Sequence, residues 1–170
     1  MKRWLGPLIV LVVAAIGAHL ATLAYAPSVI MDRALAVMKE RGIAEHAFTS
    51  PVRITPQSQV VVRSSPDLFY SLCRYDLSAP GSVLRVTMGE WPDYQSLSFF
   101  DGNTNNFHRV RGESEAVEVV LTGSGSSVEG TAQSPTARGI VLIRRLAPTR
   151  ALFDEAKEVA AADACELVTP

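Results

Sequence analysis

The sequence predicts a mainly β protein, an antiparallel sandwich or barrel behind an N-terminal apolar helix. Three observations carry this expectation. Three short apolar runs between Ser64 and Arg111 follow the two-residue period of a strand, and each is closed by turn chemistry. More such runs follow at short spacing as far as Leu146, in the manner of an antiparallel meander. Ahead of them lies Trp4 to Ala26, 23 residues without Asp, Glu, Lys or Arg.

As a helix, Trp4 to Ala26 spans roughly 34 Å at about 1.5 Å per residue, enough for a hydrocarbon core of about 30 Å. Tyr25 suits the far interface. Ala24-Tyr25-Ala26 also has the form of a signal-peptidase site, which makes a cleaved secretory signal the rival reading. Two features favour retention. The run exceeds the usual signal core of about 7–15 residues. Pro27 would directly follow the cut, where its ring and missing N–H fit an extended protease-bound strand badly. Residues 1–26 are therefore read as a cytoplasmic tip and an uncleaved transmembrane anchor whose partner is the lipid bilayer. Lys2 and Arg3 at the short end place the N-terminus in the cytoplasm, giving a single-pass bacterial inner-membrane protein with a periplasmic body. Beyond those two residues the chain has 14 basic and 17 acidic residues and no polybasic collar for anionic lipid. Of the 16 basic residues 13 are arginine, scattered along the sequence, which argues against nucleic-acid binding.

Pro27 to Gly42 predicts an amphipathic connector helix, with proline at its start and glycine at its end; the connector is taken as residues 27–43. Ile30, Ala34, Leu35 and Met38 form its apolar stripe. Residues 44–170 form the body. Pro51, Pro56 and Gln57-Ser58 make Ala44 to Gln59 irregular, with a short edge segment at Val52-Arg53-Ile54, and Val60-Val61-Val62 reads as a strand.

Leu68 to Asp76 is the first central strand, with Phe69, Ser71, Cys73 and Tyr75 on one side and Leu68, Tyr70, Leu72 and Arg74 on the other. Ala79-Pro80-Gly81 turns the chain. Ser82 to Met88 puts Leu84, Val86 and Met88 together. Tyr94 to Phe100 alternates Leu97 and Phe99 with Ser96 and Ser98. After the Asp101-Gly102-Asn103 turn, strands are expected at Phe107 to Val110, Ala116 to Leu121 and Gly139 to Leu146. Gly123 to Ser134 reads as a flexible polar loop. Pro148-Thr149 opens a last helix from Arg150 to about Cys165, with Leu152, Phe153, Ala156, Val159 and Ala160 on its packing face.

Candidate sites are few. Asp67, Tyr70, Arg74, Asp76 and His108 could gather as a polar pocket at one end of the sheet, and Ser71, His108 and Asp76 supply the residue types of a nucleophile–base set. The sequence has no nucleophile elbow and no H-E-x-x-H motif, so catalytic residues stay unassigned. With three histidines, one of them in the apolar span, a His-rich metal site is excluded, and no cofactor is expected. Asp101, Asn103 and Asn105 have the spacing of early calcium-loop ligands. Asn106 stands where that loop needs glycine, and Gly112 where it needs glutamate, so an Asx turn is preferred. Cys73 and Cys165 are the only cysteines; they form either a disulfide, as in an oxidising compartment, or two isolated thiols.

The central stretch resembles the family called domain of unknown function 1254. The resemblance rests on Ser65-Pro66-Asp67-Leu68-Phe69-Tyr70-Ser71, Tyr75-Asp76-Leu77-Ser78, Val83-Leu84-Arg85-Val86-Thr87, Tyr94 to Asp101 and Asn103-Thr104-Asn105-Asn106-Phe107. It continues at Ser134-Pro135-Thr136 and Ile140 to Leu146, and covers about Val52 to Ala147. Many members begin the first motif Asn-Arg-Asp, where this chain has Ser65-Pro66-Asp67. The resemblance implies a jelly-roll-like β-sandwich and a frequent companion, domain of unknown function 1214, for which no room remains before Pro170. It transfers no activity to named residues. Two functions are expected from this reading: a non-enzymatic envelope module associating with another membrane protein that carries the companion domain, or a domain that binds or hydrolyses a small molecule or envelope glycan.

Overall fold

The computed structural model describes residues 4–50, 52–53, 64–112, 114–124 and 130–168. The strand expected at Val60–Val62, Ile54 of the edge segment and the middle of the Gly123–Ser134 loop lie outside them.

The anchor and the connector are one helix, α1, Leu5–Glu40. At 36 residues it extends about 54 Å, and it is long and apolar enough to cross a membrane. Pro27 lies inside it rather than opening a second helix, which corrects the sequence expectation. Proline removes one N–H from the ladder there. One turn of the helix there is bridged by the Ser28 hydroxyl, which donates to the Tyr25 carbonyl at 2.9 Å. The stop at Gly42 is as expected. Gly42 takes φ +76°, its N–H donates to the Lys39 carbonyl, and the Ile43 N–H donates to the Met38 carbonyl. That pairing is the Schellman closure, which needs a residue without Cβ strain at positive φ.

Eight strands follow: β1 Leu68–Asp76, β2 Val83–Met88, β3 Gln95–Phe100, β4 Asn106–Gly112, β5 Val117–Thr122, β6 Ala132–Gln133, β7 Arg138–Leu146 and β8 Ala164–Val168. They form two four-stranded sheets, ordered β1-β7-β3-β4 and β6-β5-β2-β8. All pairings are antiparallel except β5 with β6, so two residues of the expected loop join the second sheet. Large apolar side chains from both sheets meet between them, among them Cys73, Tyr75, Leu84, Val86, Met88, Leu97, Phe99, Leu121, Val141 and Ile143. The Cys73–Cys165 disulfide ties β1 of the first sheet to β8 of the second, with Cα atoms 6.6 Å apart.

The C-terminal helix is shorter than expected. Helix α2 is Arg150–Val159, a tight turn occupies Ala160–Ala162, and Asp163 is extended. The Thr149 hydroxyl caps α2 by accepting from the Leu152 N–H. Phe153 and Ala156 pack with Phe69, Trp91 and Ala147, as the apolar face predicts. Local propensity favours continuing the helix through the alanines. It is overridden because β8 gains five paired positions on β2 and Cys165 its disulfide.

Tyr75, 1% exposed, closes one end of the interior. Its hydroxyl lies 2.9 Å from Ser134 Oγ and 3.2 Å from the Phe100 carbonyl. Burial pushes its pKa up to about 12; the Ser134 bond opposes this, and the Asp101 charge adds to it. The contribution to stability is therefore complete below pH 10.0 and is lost as pH rises through about 12. A fall of order 2–3 kcal/mol is expected across that window. Denaturation at stepped pH checks it, and an unchanged alkaline slope in Tyr75→Phe would reject the assignment.

Candidate functional site

The outer face of the first sheet is where the predicted polar residues of β1 emerge. Because side chains alternate, Tyr70, Leu72, Arg74 and Asp76 share that face, while Phe69, Ser71, Cys73 and Tyr75 point into the sandwich. The register extends it in rows. Tyr70 faces Arg144, Ser96 and Arg111 in turn across β7, β3 and β4. Leu72 faces Leu142, Ser98 and Arg109, and Arg74 faces Ile140 and Phe100.

Helix α1 covers one part of this face. Met31 and Leu35 are buried against Ile140, with Ala34, Met38, Leu72 and Phe100 around them. The stripe uses Met31 where the sequence suggested Ile30, which is 61% exposed. Residues 31, 35 and 38 fall on one helical face, and residue 30 lies about 100° away from residue 31. Asp32 and Arg138, both exposed, approach to 3.5 Å beside this contact.

After α1 the chain runs along the free edge of β1. Leu72 and Thr49 exchange N–H···O bonds, the His46 N–H donates to the Arg74 carbonyl, and the Arg74 N–H donates to the Ala44 carbonyl. This segment engages two of the five candidate pocket residues. Arg74 Nε donates to the Ile43 carbonyl at 2.9 Å and Nη1 lies 3.4 Å from Glu45. The Asp76 N–H donates to His46 Nε2 at 3.0 Å. Burial raises the Asp76 carboxyl pKa, but bonds from Ser78 and the Arg138 charge outweigh it and hold the group below its ordinary value. Tyr70 accepts from the Ser65 N–H, and Asp67 sits in the exposed turn before β1. His108 is on β4 opposite Phe99, its ring 5.6 Å away, and so belongs to the inner face. Tyr70, Arg74 and Asp76 thus share one face, Asp67 lies at its end, and His108 is on the other side of the sheet. Ser71 also faces inward, apart from Asp76. His46, missed in the sequence reading, is what closes the edge of β1.

The Asp101 carboxylate accepts from the Asn103 N–H, the Asn105 N–H and the Asn105 amide. That is the Asx turn preferred above over a calcium loop. Among the described residues no group of three or more His, Cys, Asp or Glu side chains is placed to hold a metal ion. A shallow groove on the apolar end of α1 is lined by Trp4, Leu5, Pro7, Leu8 and Leu11.

A second polar cluster was absent from the sequence expectations. Arg145 and Asp163 form an ion pair with both side chains 0% exposed. The guanidinium meets the carboxylate at 2.6 and 2.7 Å and also donates to the Gly89 carbonyl. The Gly89 N–H and the Ser71 hydroxyl donate to the same carboxylate. Alternation alone places Arg145 inward, in phase with Val141 and Ile143. That signal was readable from the strand; its partner, 18 residues on, was not.

The comparisons agree with the fold. A crystal structure of a Vibrio parahaemolyticus protein is similar with a TM-score of 0.61 at 10% identity, covering 85% of this chain and 35% of that one. An uncharacterised Burkholderia cenocepacia protein is similar with a TM-score of 0.51 at 12% identity, covering 76% and 36%. This chain thus spans about a third of the length of either. None of the curated proteins compared with it matches. Residues 46–166 match the family described as Protein of unknown function (DUF1254), which is most of the chain, so the protein belongs to that family.

Proposed function

We propose that the chain is an uncleaved, single-pass envelope module of the bacterial inner membrane, with a cytoplasmic N-terminus and a periplasmic body. Its work is to associate with a second membrane protein, one carrying domain of unknown function 1214, rather than to catalyse a reaction. The observation that carries this reading is the unbroken helix α1. The same helix that is apolar enough to span a bilayer packs Met31 and Leu35 on the first sheet and then feeds the edge pairing on β1. The buried disulfide supports an oxidising compartment. The jelly-roll-like connectivity implied by the family resemblance is part of the same reading.

Protease added to intact spheroplasts should digest the body and leave a membrane-bound fragment, and crosslinking in native membranes should capture a protein partner. A body protected until the membrane is opened, a soluble product beginning near Pro27, or a survey without any partner would defeat the proposal.

A further inference from the structure

The uncovered part of the first sheet's outer face carries three arginines far apart in sequence. Arg109 and Arg111 are alternate residues of β4, both exposed, and Arg144 stands two strands away on β7. Strand spacing puts Arg144 about 10 Å from the β4 pair, a gap that extended arginine side chains can span. None of the three has an ion-pair partner among the described residues; the same holds for Arg33, Arg41 and Arg53, which stand apart from this face, while Arg74, Arg85, Arg138, Arg145 and Arg150 each have one.

Two of them are held in place from beneath. Ser98, 0% exposed, accepts from Arg144 Nη2 at 3.1 Å, while Arg144 Nε is buried with no hydrogen-bond partner. Ser96, 2% exposed, accepts from the Tyr94 hydroxyl, and the Tyr94 ring carries the Arg111 guanidinium 5.4 Å from its centre. The serines keep the face flat and fix the arginines, directly or through Tyr94. Like charges gathered without an ion-pair partner among the described residues repel, and a half-buried guanidinium with an orphaned Nε adds a desolvation cost. An anion with several acceptor oxygens would relieve the repulsion.

We propose that the Arg109–Arg111–Arg144 face binds a phosphate group. Guanidinium forks match phosphate oxygens pairwise, and forks approaching from two sides suit a tetrahedral anion better than a single planar carboxylate. Arg144 lies six residues along β7 from Arg138, which meets Asp32 where α1 arrives; that is about 20 Å of strand. The ligand we assign is a phosphate on a soluble molecule, and the lipid arm of the test below separates it from a bilayer headgroup. The assignment does not depend on the partner proposed above.

The test is calorimetric titration of the full chain, in nanodiscs of zwitterionic lipid, with inorganic pyrophosphate against sodium chloride of equal ionic strength. Saturable binding is expected, weakened about tenfold or more in Arg144→Gln and in Arg111→Gln, and unchanged in Arg150→Gln. Arg111 is exposed, so its variant separates loss of binding from loss of folding. Absence of saturable binding, equal suppression by chloride, wild-type affinity in Arg111→Gln, or binding only to vesicles containing phosphatidic acid would each overturn the proposal.

Discussion

Asp163→Asn is expected to lower unfolding free energy by about 3–5 kcal/mol, because it strands a buried guanidinium. Arg145 makes its short bonds to that carboxylate, and the remaining acceptor, the Gly89 carbonyl, is a longer contact at 3.3 Å. Its Nε already lacks a partner. The pair pins the sheet to the junction between the α2 turn and β8, so the loss should also expose β8. Removing both charges is different in kind. Arg145→Met with Asp163→Leu takes away the desolvation cost along with the attraction, and should recover much of the single-variant loss. Denaturant unfolding of the three variants decides it. A loss under about 1 kcal/mol for Asp163→Asn would mean that water reaches the pair.

Opening the Cys73–Cys165 bond should have an effect of similar size. The bond closes a loop of 92 residues, for which the chain-entropy account gives about 4–5 kcal/mol. It also joins the two sheets at side chains almost wholly buried. Cys73→Ala with Cys165→Ala, or reduction, should therefore shift the unfolding midpoint well below that of the oxidised protein. Equal midpoints with and without reductant would show that the sheets hold without the bond.

Much of the architecture could be read before any coordinates, because most strands alternate cleanly and end at Pro, Gly or Asp-Gly. Ser96 and Ser98 between Leu97 and Phe99 fixed the facing of β3 unaided. The failures share one cause, long-range contacts outweighing local preference. Ala160 to Ala162 invite more helix, yet Asp163 is drawn to Arg145 and Cys165 to Cys73. Pro27 reads locally as a boundary, yet the helix passes through it. The polar candidates suffered similarly. One residue type per strand says nothing of which face another strand offers, so His108 could not be separated from Tyr70 and Asp76 until the register was known. The arginine face was hidden for the same reason, since Arg144 and the β4 pair meet only across an intervening strand.

The glycine-closed end of α1 leaves no slack before the chain locks onto β1. A domain on a loose leash would sample every heading around its stem; this one turns only as the stem turns. In the membrane reading proposed above, whatever grips the apolar segment sideways should thereby choose which wall of the sandwich is presented to a neighbour.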